Sequence, residues 1–361
     1  MPSRAATLIE AARLRAAFEA AGALIVETPI LQPADLLLDL YGEDIRARAY
    51  VTSDALRGEQ MLRPDFTVPV VQMHMAEGAE PARYTYSGEV FRRQELNDER
   101  ANEYVQVGYE VFDRADPAAA DAEVFALFAD LLGPLGLRAA TGDIGLLMAA
   151  VQGLQTTERR KVALMRHIWR PRRFRALLDR FAGRSPMPET RAALLAGDRA
   201  GLDAPEIGLR SRAEVDARIT ALIQDAAAPA ISKTEIAALD ALLDVRESVP
   251  YAIERLSDIA VDLPWTRSAL ERLKARVDAL AARGVTIDTL DFEASYGRTQ
   301  MEYYDGFVFG FYAEQRPDLP PVATGGRYDA LTRRLGKGAE IPAVGGVLRP
   351  GLILQVQEAW P

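Results

Sequence analysis

The sequence predicts an α+β fold, an antiparallel sheet flanked by helices and interrupted by a helical insertion. Three observations predict it. Short β-rich runs separated by turn residues alternate from about Thr28 to Asp113. A stretch rich in Ala, Leu and Arg with helical periodicity runs from about Gly142 to Arg283. β-rich runs then resume after Gly284. Strands that flank a helical run imply one discontinuous domain, residues 1–145 with 284–361, around a mostly helical insertion, residues 146–283.

In chain order, Ser3 can cap a first helix, Leu8, Ala12 and Phe18 give it an apolar side, and Gly22 ends it. A strand is expected at Ala23–Thr28, and further strands at Ala49–Thr52, Arg83–Phe91 and Tyr104–Phe112. Asp121–Leu132 reads as a helix. Leu270, Leu273, Val277 and Leu280 recur at helical spacing before Gly284. Val285–Glu293 and Gly306–Tyr312 are predicted strands, and Tyr328–Leu335 a closing helix.

At 361 residues and 49% hydrophobic composition, the chain can bury one large core or two modest ones. Arginines interrupt the apolar positions of the N-terminal segment, which excludes a signal peptide or membrane span there and predicts a cytoplasmic protein. The absence of cysteine excludes disulfides and thiolate chemistry, and two distant histidines, His74 and His167, make no metal-ligand spacing. No cofactor or metal is expected. A formal charge of −9 argues against a surface that grips nucleic acid, because such affinity rests on phosphate neutralisation. One basic island departs from that balance: Arg159 to Arg184 holds ten Lys or Arg against one acid, Asp179. It reads either as a solvated or partner-docking helix face or as a nucleic-acid patch, with Trp169 and Phe174 available for stacking.

Four segments place polar residues where a plain strand would be apolar: LRPDFT (Leu62–Thr67), YSGEVFRRQE (Tyr86–Glu95), YVQVGYEVF (Tyr104–Phe112) and GGRYDALTRRLG (Gly325–Gly336). In YVQVGYEVF, Gln106, Gly108 and Glu110 alternate with Val107, Tyr109 and Val111, so Gln106 and Glu110 share one face of a strand. That face is either the solvated side of an edge strand or a carboxamide and carboxylate pair that reads an amine or imidazole. Arg92 and Arg93 at a strand end can grip a phosphate or carboxylate.

Together these segments resemble the class II aminoacyl-tRNA synthetases, and specifically the histidyl enzymes. LRPDFT is similar to that family's L-R-P-E-x-T, YSGEVFRRQE with YVQVGYEVF to its motif 2 hairpin, and GGRYDALTRRLG to its G-G-R-Y-D-G-L. A further segment, MEYYDGFVFGFY (Met301–Tyr312), resembles L-D-Y-Y-x-x-T-V-F-E. The matches run in family order over nearly the whole chain. The resemblance implies a histidine pocket in which Asp65, Thr67 and Gln106 hold the α-amino group while Glu110 and Tyr304 read the imidazole. Tyr303 supports it as core or interface. Asp65 stands where the family has glutamate and reaches one carbon less far.

The departures fall on the ATP side. Arg92 and Arg100 match motif 2 arginines, but Thr299 occupies the place of the arginine that contacts both carboxylate and α-phosphate. The motif 3 pattern P-A-V-G-F-x-x-G-x-E-R-L becomes PAVGGVLRPGLIL, with Gly351 and Leu352 in place of the glutamate and the ATP-clamping arginine. Losing one such electrostatic clamp typically costs ~2.7–4 kcal/mol of transition-state stabilisation. The chain also ends directly after motif 3, where an anticodon-binding domain is expected to follow in the histidyl enzymes, so no tRNA partner is expected. This combination resembles the regulatory subunit of short-form ATP phosphoribosyltransferase. The resemblance implies a non-catalytic homodimeric chain that forms a hetero-octamer with a short catalytic subunit and confers inhibition by L-histidine. The competing reading is a truncated synthetase-like enzyme that still activates an amino acid with ATP, using Arg298 and Arg349 in place of the lost pair.

Overall fold

The computed structural model describes residues 2–41, 45–93, 101–199, 207–298 and 303–358. Arg100 and Thr299 lie outside the described residues. The first helix, Arg4–Ala20, starts as expected, with the Ser3 hydroxyl accepting from the Ala6 amide at 3.1 Å. It stops at Gly22, whose φ of 94° suits a residue without Cβ. Its buried stripe is Ala11, Leu14 and Phe18, rather than the predicted Leu8, Ala12 and Phe18. The rotation is set by Phe18, which stacks on Tyr109 and Phe128 at 5.1 and 5.5 Å.

Twelve strands follow among the described residues: β1 Leu24–Ile25, β2 Leu31–Pro33, β3 Val51–Asp54, β4 Gly58–Leu62, β5 Ala82–Phe91, β6 Glu103–Phe112, β7 Arg138–Asp143, β8 Arg246–Ser248, β9 Asp291–Glu293, β10 Phe307–Tyr312, β11 Ala323–Arg327 and β12 Ala343–Leu348. Nine form one sheet in the order β1-β5-β6-β12-β11-β10-β7-β9-β8, and β2, β4 and β3 form a small second sheet. The central run is antiparallel as predicted, but the β1–β5 and β7–β9 pairs toward the flanks are parallel. The strand expected over residues 23–28 is cut to Leu24–Ile25; Val26 still bonds to Thr85, and Pro29 then supplies no N–H. The strand expected over residues 285–293 is cut to β9, because Val285 and Leu290 bond back to Leu280 and Ile287 within turns. Conversely, β8 emerges from the predicted helical run to pair with β9.

The sheet is covered on both faces. Helices Arg4–Ala20 and Pro117–Leu132 pack Phe18, Phe125 and Phe128 against Val105, Val107 and Tyr109. On the other side, helix Thr67–Glu77 and the segment around Tyr328 close over Tyr84, Tyr86 and Phe112. Strand β6 is therefore buried on both faces, and the edge-strand reading of Gln106 and Glu110 is wrong. No helix among the described residues is long and apolar enough to cross a membrane.

A buried ionic chain ties the helical region to the sheet. Arg276, on helix Arg267–Ala282, donates to Asp143 at 2.6 Å and Asp121 at 3.3 Å, and Arg327 of β11 donates to Asp121 at 2.8 Å. Removing one partner of such a group strands opposite charges in low dielectric. Arg276→Ala is expected to lower unfolding stability by about 3–5 kcal/mol, measured as a lower urea midpoint, whereas alanine at the exposed ion-paired Arg57 should change it little.

Candidate functional site

Glu110 is the centre of the inner face of β6. One carboxylate oxygen accepts from the Thr67 hydroxyl at 2.9 Å and the Tyr86 hydroxyl at 2.8 Å, and the other from the Tyr328 hydroxyl at 2.5 Å. The residue is 1% exposed, and among the described residues no Lys, Arg or His pairs with it. Two glycines make room. Gly345 lies opposite Glu110 on β12, where a Cβ would stand 1.6 Å from the carboxylate; at Gly108 a Cβ would meet the Tyr86 ring at 2.0 Å. Burial pushes the Glu110 carboxyl up to about 7; the three hydroxyls oppose that shift and the nearby charge of Asp65 adds to it.

The other predicted pocket residues gather around this carboxylate. Asp65 is buried and accepts from the Val68 amide at 3.2 Å as the chain enters helix Thr67–Glu77, which also delivers Thr67. Gln106 is fully buried one repeat along β6 from Gly108, and neither its amide nitrogen nor its oxygen has a hydrogen-bond partner among the described residues. Tyr304 is buried against Gly326, and burial followed by the charge of Glu110 raises its phenol above the ordinary value. Tyr303 is half-buried and packs edge-on to Tyr304 and Tyr328 at 4.9 and 6.1 Å. Two residues that sequence reasoning missed, Tyr86 and Tyr328, hold Glu110 directly. Both sit inside the segments singled out above, and the register that pairs Tyr86 with Gly108 puts its ring between Gln106 and Glu110.

Arg92 is anchored beside Asp65. Its Nε donates to the Pro64 carbonyl at 2.6 Å, and the side chain lines a cleft of about 920 Å³. Arg4, Arg48, Arg93, Arg316 and Arg349 share that cleft with the acids Glu89, Glu103 and Asp318; Gly351 and Leu352 also line it. Burial lowers the pKa of Arg349, with Tyr104 opposing and Arg92 adding to the effect, and its Nη atoms donate to the Pro321 carbonyl at 2.7 Å and the Thr324 hydroxyl at 3.2 Å. Arg298, the other candidate substitute, turns away, and its Nε donates to the Ile168 carbonyl at 2.8 Å. His74 is a packing residue, stacked on Phe112 at 3.9 Å with Nδ1 3.1 Å from the Tyr84 hydroxyl. Part of the basic island is internal: Arg160 is buried and donates to Asp225 at 2.7 Å, while Arg175 and Arg184 both face Asp240.

The family model described as histidyl-tRNA synthetase matches residues 1–228 and 199–351, which makes this a histidyl-tRNA synthetase-like protein. Within that class, the chain belongs to the family of ATP phosphoribosyltransferase regulatory subunits. It is 33% identical to the ATP phosphoribosyltransferase regulatory subunit of Brucella anthropi, over 92% of this chain and 93% of that protein. It is 32% identical to the subunit of the same name in Brucella ovis, with 92% and 93% covered. In fold it is similar to an ATP phosphoribosyltransferase regulatory subunit/histidyl-tRNA synthetase from Bacillus halodurans, with a TM-score of 0.68 at 20% identity over 97% of this chain and 79% of that one. Histidyl-tRNA synthetase from Nostoc sp. PCC 7120 gives a TM-score of 0.65 at 17% identity, covering 98% and 72%.

The raised Glu110 pKa makes stability depend on pH. Between its ordinary 4.5 and about 7, the folded chain keeps a proton that the unfolded chain has released, so stability at this site is full below 4.5 and falls as pH rises through 7. Glu110→Gln removes that dependence. Urea unfolding at several pH values is expected to show the variant gaining on the wild type by about 3 kcal/mol between pH 4.5 and 7.5, with the gain confined to that interval.

Proposed function

We propose that the chain is a histidine-sensing, non-catalytic regulatory subunit of short-form ATP phosphoribosyltransferase, the first enzyme of histidine biosynthesis. The observation that carries the reading is Glu110, a buried carboxylate ringed by three hydroxyls and without a protein cation among the described residues. An imidazole N–H or imidazolium supplies the missing donor, and a site built around that donor rejects amino acids that lack it. Thr67, Asp65 and the amide of Gln106, unpaired among the described residues, hold the α-amino group; Glu110 and Tyr304 read the ring, and Tyr303 backs Tyr304.

The arginine cleft is the vestigial nucleotide site, with Arg92 and, outside the described residues, Arg100 as its remnants. Arg298 is committed elsewhere and Arg349 is bonded to Pro321 and Thr324, which weakens the reading of a working ATP-dependent enzyme. The chain divides into a discontinuous core, residues 1–145 and 284–361, and an insertion, residues 146–283. A cytoplasmic homodimer inside a hetero-octamer with the catalytic subunit is the assembly. The exposed apolar residues Leu8, Ile9, Leu24, Ile25, Leu31 and Val51 support pairing through the N-terminal region. Histidine need only favour one quaternary state by about 1–3 kcal/mol to give useful feedback.

Calorimetric titration with L-histidine, with L-histidinol and L-glutamine as controls, tests the pocket. Selective histidine binding is expected, weakened by roughly tenfold to a hundredfold in Glu110→Ala because a hydrogen bond to a charged group is lost. Equal binding of glutamine, or undiminished binding by the variant, refutes it.

A further inference from the structure

Arg298 reads in the sequence as a spare phosphate-binding arginine, yet the fold uses it in another way. It follows Gly297, whose φ of 83° and close approach to Val308, 3.0 Å from a notional Cβ, fix the direction in which the next residue leaves the turn. Arg298 is 5% exposed. Its Nε donates to the Ile168 carbonyl at 2.8 Å, and its guanidinium carbon lies 4.9 Å from the centroid of the Phe174 ring. Ile168 follows helix Glu158–Arg166, and Phe174 belongs to the first turn and a half of helix Pro171–Phe181. The side chain therefore crosses from the turn after β9 to the corner between two helices of the basic island.

That crossing is costly as a stability device. Among the described residues the charged neighbour acting on Arg298 is Arg175, itself cationic and paired to Asp240 at 2.6 Å. Burial, with Arg175 adding, lowers its pKa to about 10. A buried guanidinium in that setting contributes less to stability than a well-packed apolar side chain of similar volume would. What it does supply is direction: a planar fork that fixes one backbone carbonyl and one ring face at once.

We infer that Arg298 is a positioning residue that couples the histidine pocket to the helical corner at residues 158–181. This rests on the histidine reading above and names the path by which occupancy leaves the pocket. Histidine contacting Tyr304 restrains the packing of Tyr304 and Val308 over Gly326, the Val308 side chain also borders Gly297, and Arg298 passes that restraint to Ile168 and Phe174. The arginines exposed on that corner, Arg159, Arg166, Arg172 and Arg173, then change their order or placement with the ligand.

Hydrogen–deuterium exchange of the full-length chain, with and without saturating L-histidine, tests the coupling beside calorimetry on the same samples. In the wild type, exchange across residues 158–181 is expected to slow about threefold or more on binding. In Arg298→Met, histidine still binds within about tenfold of the wild type, but the exchange change at 158–181 disappears. Arg298→Lys, which keeps the donor without the fork, restores part of it; a purely structural role would instead lower stability in both variants and leave the ligand-dependent change in place. Binding without altered exchange in the wild type, or an unchanged response in Arg298→Met, overturns the coupling alone. A wild type that binds no histidine overturns the pocket reading and the coupling with it.

Discussion

Glu110 is held by hydroxyls from three segments distant in sequence: Thr67 at the start of a helix, Tyr86 on the neighbouring strand, and Tyr328 between β11 and the helix Asp329–Leu335. A carboxylate so deep is tolerable only while all three donors are in place, since each lost donor leaves charge in low dielectric. The surrounding sheet is shaped to that requirement. Gly345 and Gly108 give up side chains where the carboxylate and the Tyr86 ring must pass, and Tyr86 stacks on Phe66 at 4.3 Å, which sets the entry of the helix that carries Thr67. The opposite face of β6 packs Val105, Val107, Val111 and the ring of Tyr109 into the core, so the strand cannot shift by one residue without exchanging Glu110 for Tyr109 or Val111. Packing on one face thus enforces chemistry on the other.

The same sheet treats its two potential ligand regions differently. On the pocket side, polar groups are buried, close and, in Gln106, left with unused hydrogen-bonding capacity. On the cleft side, arginines are spread around a large open volume and several are already engaged: Arg4 with Glu89, Arg316 with Asp318, Arg349 with Thr324 and a backbone carbonyl. Preorganised donors aimed at one point are what transition-state stabilisation of an adenylate would demand. The contrast supports sensing of an amino acid over its activation.

Much of this was legible in the sequence, because it depends on local rules. The cap at Ser3, the stop at Gly22, the existence of β5 and β6 and the shared face of Gln106 and Glu110 follow from short-range pattern. What escaped is what the tertiary structure decides. Period-two alternation says that two residues share a face but not whether that face meets water; the burial of β6 comes from its central place in the sheet. Tyr328 lies 218 residues from Glu110 and reaches it only through the β12–β6 pairing. β8 is three residues long, too short for its pattern to stand out from the helices around it. The direction of Arg298 depends on a single glycine turn, which no spacing argument could orient.

The central claim is that occupancy of the Glu110 pocket governs a catalytic partner. The most direct measurement is the initial rate of ATP phosphoribosyl transfer by a short catalytic subunit reconstituted with the wild-type chain or with Glu110→Ala, across a range of L-histidine. The account predicts that both chains support activity, and that the variant complex needs at least about tenfold more histidine for half-inhibition. Identical histidine inhibition with the two chains, or a catalytic subunit whose rate ignores both, would contradict it.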